Sequence, residues 1–93
     1  RCRYLVGADG PHSRVAKSLG LSRNTEFLFG VEHEYASAGI EPGFLHCFLD
    51  RQLAPGYIGW AFQGAASAQV GLARRMPGGD AAAAMDPFLR KIE

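Results

Sequence analysis

RCRYLVGADGPHSRVAKSLG, Arg1–Gly20, is the most informative stretch of this chain. A short apolar run, Tyr4-Leu5-Val6, ends in Gly7-Ala8-Asp9-Gly10. Pro11, His12 and Ser13 follow, then a helical pattern that stops at Gly20. Arg1–Val6 reads as a strand, and the turn and helix that follow so quickly make it a buried parallel one. Ser13 is a good N-cap, Val15, Ala16 and Leu19 give apolar spacing for two helical turns, and Gly20 suits the C′ position. The predicted unit is strand, tight turn and helix start. Gly7 and Gly10 allow bare backbone to approach a ligand. Asp9 can accept hydrogen bonds from hydroxyls or turn amides. The helix start offers N–H groups and partial positive charge to a phosphate, with Arg14 as a nearby cation. The same string also fits an Asp-Gly turn and a capped helix with no ligand.

Beyond Gly20 the pattern changes. Leu21–Glu26 is a polar link. In Phe27–Tyr35 (FLFGVEHEY), Val31, His33 and Tyr35 fall on one face and Glu32 and Glu34 on the other, as in a strand with one wet face. Gly39–Gly43 reads as a turn marked by Pro42-Gly43. Phe44–Asp50, Tyr57–Phe62 and Ala68–Arg74 are three more strands, separated by the Arg51–Gly56 loop and the small-residue link Gln63–Ser67. Pro77-Gly78-Gly79 breaks the chain, and Asp80 caps a last helix running to Glu93 whose first part Pro87 makes irregular. Hairpin-length links make the four strands an antiparallel sheet. The expected fold class is α+β: a strand–helix unit, a roughly four-stranded antiparallel sheet and a C-terminal helix.

Composition narrows the function classes. Ninety-three residues make one small domain that buries roughly 60–65% of its unfolded surface. A net charge of +1 gives no electrostatic reason to expect nucleic acid as a partner. No apolar run is long enough for a transmembrane span. Cys2 and Cys47 are too few for a disulfide framework and suit a reducing, cytoplasmic setting. His12, His33 and His46 do not form a metal set, so no metal is expected. Neighbouring His46 and Cys47 point to opposite faces of their strand. No catalytic residue is identified, and His12, beside the glycine turn, is the titratable group of interest. The chain opens inside an expected strand and ends on Arg90-Lys91-Ile92-Glu93, so it reads as part of a longer protein. A first strand without parallel neighbours would favour self-association through exposed edges.

Two motifs carry a resemblance. Leu5–Gly20 resembles the "DG" motif of the FAD-dependent superfamily that contains geranylgeranyl reductases and aromatic-ring hydroxylases. Gly7, Ala8, Asp9, Gly10, Ser13 and Val15 meet its fixed positions, and Ala16 stands at its variable end. The resemblance implies a turn near the FAD pyrophosphate, linked in the hydroxylases to NAD(P)H use. Gly7, Ala8, Asp9, Gly10, Ser13 and Arg14 become the implied cofactor-binding residues. Pro55–Phe62 (PGYIGWAF), followed by Gln69-Val70-Gly71-Leu72-Ala73, is similar to a substrate-domain segment of the reductases that lines the cavity over the flavin. Ile58 stands where those enzymes often have tyrosine, and Gln63 replaces a proline. Tyr57, Trp60 and Phe62 become the implied substrate-pocket residues. Gly59 and Gly71 make room for a bulky neighbour or a ligand. Gly78-Gly79-Asp80-Ala81-Ala82-Ala83-Ala84 imitates a later ribityl-binding motif of the superfamily, but it follows the polar Arg74-Arg75-Met76-Pro77, and a loop with a capped, alanine-rich helix is the simpler reading.

The resemblance divides the chain into the end of an FAD-binding domain (1–24), part of a substrate-domain sheet (25–76) and a C-terminal helix (77–93). It implies an oxidoreductase, a reductase or monooxygenase, acting on a hydrophobic or aromatic small molecule. NAD(P)H is a possible electron donor, and the full-length protein could associate with a membrane surface. By itself the chain lacks the G-x-G-x-x-G adenine-ribose segment, so it is expected to be inactive. The alternative is a small non-catalytic α+β interaction module.

Overall fold

A computed structural model describes residues 1–76 and 79–93. Its elements are α1 (Arg14–Ser18), β1 (Leu28–Tyr35), β2 (Leu45–Phe48), β3 (Gly59–Gln63), β4 (Ala68–Arg75) and α2 (Ala81–Ile92). The four strands form one antiparallel sheet in the order β1-β4-β3-β2. The α+β class and the antiparallel sheet agree with the sequence reading. Arg1–Val6 does not: it forms no strand, and Tyr4, Leu5 and Val6 are 87%, 63% and 84% exposed. A strand needs a neighbour for its N–H and C=O groups, and none of the four described strands pairs with this segment.

Alternation along the strands separates two faces. On one, Val31, Val70, Leu72 and Ala61 meet Ala81, Ala84, Met85 and Phe88 of α2. Those α2 residues recur at intervals of three and four, so a single stripe of the helix is buried. Asp80 caps α2 by accepting from the Ala82 N–H at 2.9 Å. Pro77 and Gly78 of the expected chain break lie outside the described residues. Pro87 was expected to disturb the helix, yet α2 is continuous through it. The carbonyl that loses its partner to proline belongs to Ala83, which is exposed, so water can take that place.

Gly59 explains how α2 sits so close. A Cβ built there would lie 2.5 Å from the Phe88 ring. The bulky neighbour for which this glycine makes room is therefore a helix side chain. Phe48 meets Phe88 edge-on, with centroids 5.4 Å apart and planes at 77°.

Asp50 ties the loop after β2 to the helix end. It accepts from the Gln52 N–H at 2.8 Å, the Leu53 N–H at 3.0 Å and the Lys91 ammonium at 2.5 Å. The Lys91 hydrogen bond, followed by the two backbone donors, lowers its pKa from 3.8 to about 2. This depressed carboxylate contributes stability that is complete above the ordinary value of 3.8 and is lost as pH falls toward 2. Asp50→Asn is expected to flatten the urea midpoint against pH in that window. An equal pH slope in both proteins would contradict the clasp.

Candidate cofactor turn and open sheet face

Asp9 organises the turn. Its Oδ1 accepts the Ser13 hydroxyl at 2.5 Å, and its Oδ2 accepts the Arg14 and Val15 N–H groups at 2.7 and 3.1 Å. Ser13 Oγ in turn accepts from the Ala16 N–H at 3.0 Å, and the Lys17 N–H reaches the Ser13 carbonyl at 3.3 Å. The Ser13 bond first, and the Val15 amide next, hold the Asp9 carboxyl below its usual range. The N-cap role of Ser13 agrees with the sequence reading, as does the positive φ of 64° at Gly20. Two expectations change. Helix α1 has five residues rather than two turns. Its first N–H groups are also taken by Asp9 and Ser13, so the helix start has none of them left for a phosphate.

Open space remains beside the turn. Gly10 has φ +84°, and a Cβ built there meets no heavy atom within 4 Å. Gly7 is different: its Cβ would press on Val15 at 3.1 Å, so Gly7 serves the close packing of turn on helix. Ala8 is exposed between them. Arg14 is exposed and forms no ion pair among the described residues. His12 stacks on Phe27 with centroids 4.5 Å apart, and the Asn24 amide donates to the Pro11 carbonyl at 3.1 Å. These contacts fold the polar link back over the turn. A shallow depression of about 200 Å³ results, lined in part by His12, Lys17, Arg23 and Asn24.

Among the described residues no element packs over the sheet face opposite α2. Trp60 and Phe62, two residues apart on β3, share it. Tyr57 lies before β3 in a turn, is 48% exposed, and donates its backbone N–H to the Ala54 carbonyl at 3.1 Å. The Trp60 indole crosses Gly71 of β4, where a built Cβ would lie 2.5 Å from the ring. Gly71 thus makes room for an aromatic ring, as Gly59 does on the other side. At the far end, Trp60 Nε1 donates to Glu32 Oε2 of β1 at 2.7 Å. Sequence reasoning placed Glu32 only on a wet face. Its partner lies 28 positions away, and only the β1-β4-β3 order brings the two together.

The larger depression, about 710 Å³, lies on the α2 side and is lined in part by Tyr35, Ile40, His46, Phe48, Leu89 and Ile92. None of Tyr57, Trp60 and Phe62 lines it. Both cysteines are exposed and unpaired. Among the described residues no group of three or more His, Cys, Asp or Glu side chains is placed to hold a metal ion. Among them, too, no helix is long and apolar enough to cross a membrane.

A turn with an ordered acid and an open glycine, ahead of a one-sided antiparallel sheet, is the arrangement found at residues 1–75, and those residues match the family model described as FAD binding domain. The chain belongs to that family, whose members include FAD-dependent oxidoreductases. It is 32% identical over 79 residues to digeranylgeranylglycerophospholipid reductase 2 of Methanopyrus kandleri, covering 81% of this chain and 20% of that protein. It is 33% identical over 76 residues to an uncharacterised protein of Methanocaldococcus jannaschii, covering 78% of this chain and 20% of the relative. The chain therefore spans about one fifth of the length of these curated relatives. No solved structure matches.

Proposed function

We propose that this chain supplies one wall of the FAD site and one wall of the substrate pocket of an FAD-dependent oxidoreductase acting on a hydrophobic or aromatic molecule. The observation that carries the cofactor half is the Asp9-organised turn with open space at Gly10. The residues fit FAD in a specific way. Backbone at Ala8 and Gly10 approaches the cofactor, and the Arg14 guanidinium meets its phosphates. Asp9 and Ser13 hold the turn in shape, and Gly7 seats it on Val15. Bound FAD supplies the redox chemistry, while the chain supplies position and charge.

Trp60 and Phe62 form the apolar pocket wall on the uncovered face, and the reading also assigns Tyr57, in the turn before β3, to the pocket. The Methanopyrus relative is named a reductase, which favours reduction of an unsaturated apolar chain over oxygenation. NAD(P)H is the proposed electron source, and a cytoplasmic enzyme touching a membrane surface suits an apolar substrate. Product analysis of the full-length protein with NAD(P)H and oxygen separates the chemistries: a saturated product supports reduction, and a hydroxylated one overturns it.

Alone, the chain has no G-x-G-x-x-G segment. Its FAD affinity is expected to be weaker than micromolar, and a titration giving micromolar or tighter binding would falsify the division of the site among several segments. Sedimentation of the same material reads self-association through the outer strands β1 and β2.

A further inference from the structure

We propose that Glu32 is a positioning residue that fixes the Trp60 indole flat across the sheet, so that the ring offers a set plane to an apolar group without negative charge. This rests on the reading of Trp60 as a pocket wall. Cys47, Trp60, Gly71 and Glu32 are aligned in register across β2, β3, β4 and β1. The indole starts on β3, passes over β4 and ends on β1. Passage over β4 requires that position 71 have no side chain, since a Cβ there would sit 2.5 Å from ring atom Cζ2 and 2.8 Å from the Val31 carbonyl oxygen. At Gly30, a Cβ would come within 3.9 Å of ring atom Cη2, so the outer edge of the ring also lies over a bare position.

The remaining freedom of a tryptophan is rotation about its two side-chain torsions. An acceptor for the ring N–H at the far end removes that freedom. Glu32 Oε2 is that acceptor at 2.7 Å, and Glu32 makes no ion pair among the described residues. Its neighbour on the same face, Glu34, instead accepts from the Gln69 amide at 3.4 Å. Two glycines and one carboxylate, drawn from two strands other than Trp60's own, thus converge on one ring. A carboxylate at the ring edge also disfavours an anionic group beside it, so the group offered this plane carries no negative charge. A binding group is only as well placed as the side chains that support it.

Trp60 is the sole tryptophan of the chain, so its fluorescence reports on this ring alone. Glu32→Leu removes the acceptor at similar size, whereas Glu32→Gln keeps an acceptor oxygen without the charge. The probe is N-phenyl-1-naphthylamine, neutral and aromatic, read by its own emission. Glu32→Leu is expected to lower the Trp60 anisotropy and weaken probe binding about three- to tenfold, the scale of one ordinary hydrogen bond. Glu32→Gln is expected to restore both to near the parent values. Unchanged anisotropy, or unchanged probe affinity, in Glu32→Leu overturns the proposal. Trp60→Phe separates the two ideas. If it leaves probe affinity unchanged, the pocket-wall reading fails and the proposal falls with it. If it weakens binding while Glu32→Leu does not, only the positioning role fails.

Discussion

Phe88→Ala is expected to destabilise the chain by about 3–5 kcal/mol, the usual range for emptying a buried aromatic site. Phe88 is only 2% exposed and occupies the place over Gly59 that any side chain at that position would need. The cavity cannot be refilled from below, because Gly59 has no atoms to offer. Phe48 loses its edge-on partner at the same time. Total stabilities of small domains are about 5–15 kcal/mol, so the variant should stand near the limit of folding at room temperature. Urea denaturation followed by far-UV circular dichroism measures the loss. A shift under about 1 kcal/mol would mean that α2 is not held by this ring.

Asp9→Ala is expected to disorder α1 and, in the full-length protein, to weaken FAD retention by about tenfold to a hundredfold, since small misplacements of a binding group carry penalties of that size. One substitution removes the acceptor for the Ser13 hydroxyl and for two helix N–H groups. Asp9→Asn should do nearly the same, because its amide cannot accept at both oxygens as the carboxylate does. Two measurements check this. Amide exchange at Arg14 and Val15 in this chain should accelerate, and the flavin content of the purified full-length protein should fall. Accelerated exchange with unchanged flavin would keep the local geometry and remove its link to the cofactor. The lowered pKa of Asp9 sets the pH behaviour. Its stabilisation is present above the ordinary carboxylate range and disappears as pH falls through its lowered value.

Much of this is legible in the sequence. Alternation sorts β1 into one face with Val31, His33 and Tyr35 and another with Glu32 and Glu34; Val31 and Tyr35 are half-buried toward α2, whereas His33 on the same face stays exposed. Capping by Ser13 and Asp80 follows from side-chain chemistry that acts over two or three residues. Asp9 could be read as an acceptor for hydroxyls and turn amides, and its partners are of those kinds. The misses come from longer range. Arg1–Val6 has the composition of a strand, but pairing, not composition, makes a strand. The helix start reads as open to an anion because the sequence does not reveal that the Asp9 carboxylate and the Ser13 hydroxyl already take its first amides. The insertion of β4 between β1 and β3, and with it the Glu32–Trp60 bond, depends on which strands meet across some thirty to forty residues.

Gly59 and Trp60 are consecutive, and the pleat sends one toward α2 and the other toward the uncovered face. The tilt of β3 is thus a single variable shared by two surfaces. Bulk added beneath the strand at Phe88 tips the ring above it, and bulk added above at Gly71 pushes back on the helix. Packing under Gly59 and ring placement over Gly71 are therefore expected to change together. On the proposed reading of Trp60 as a pocket wall, variants that change substrate preference are expected to carry compensating changes in α2, on the other side of the sheet.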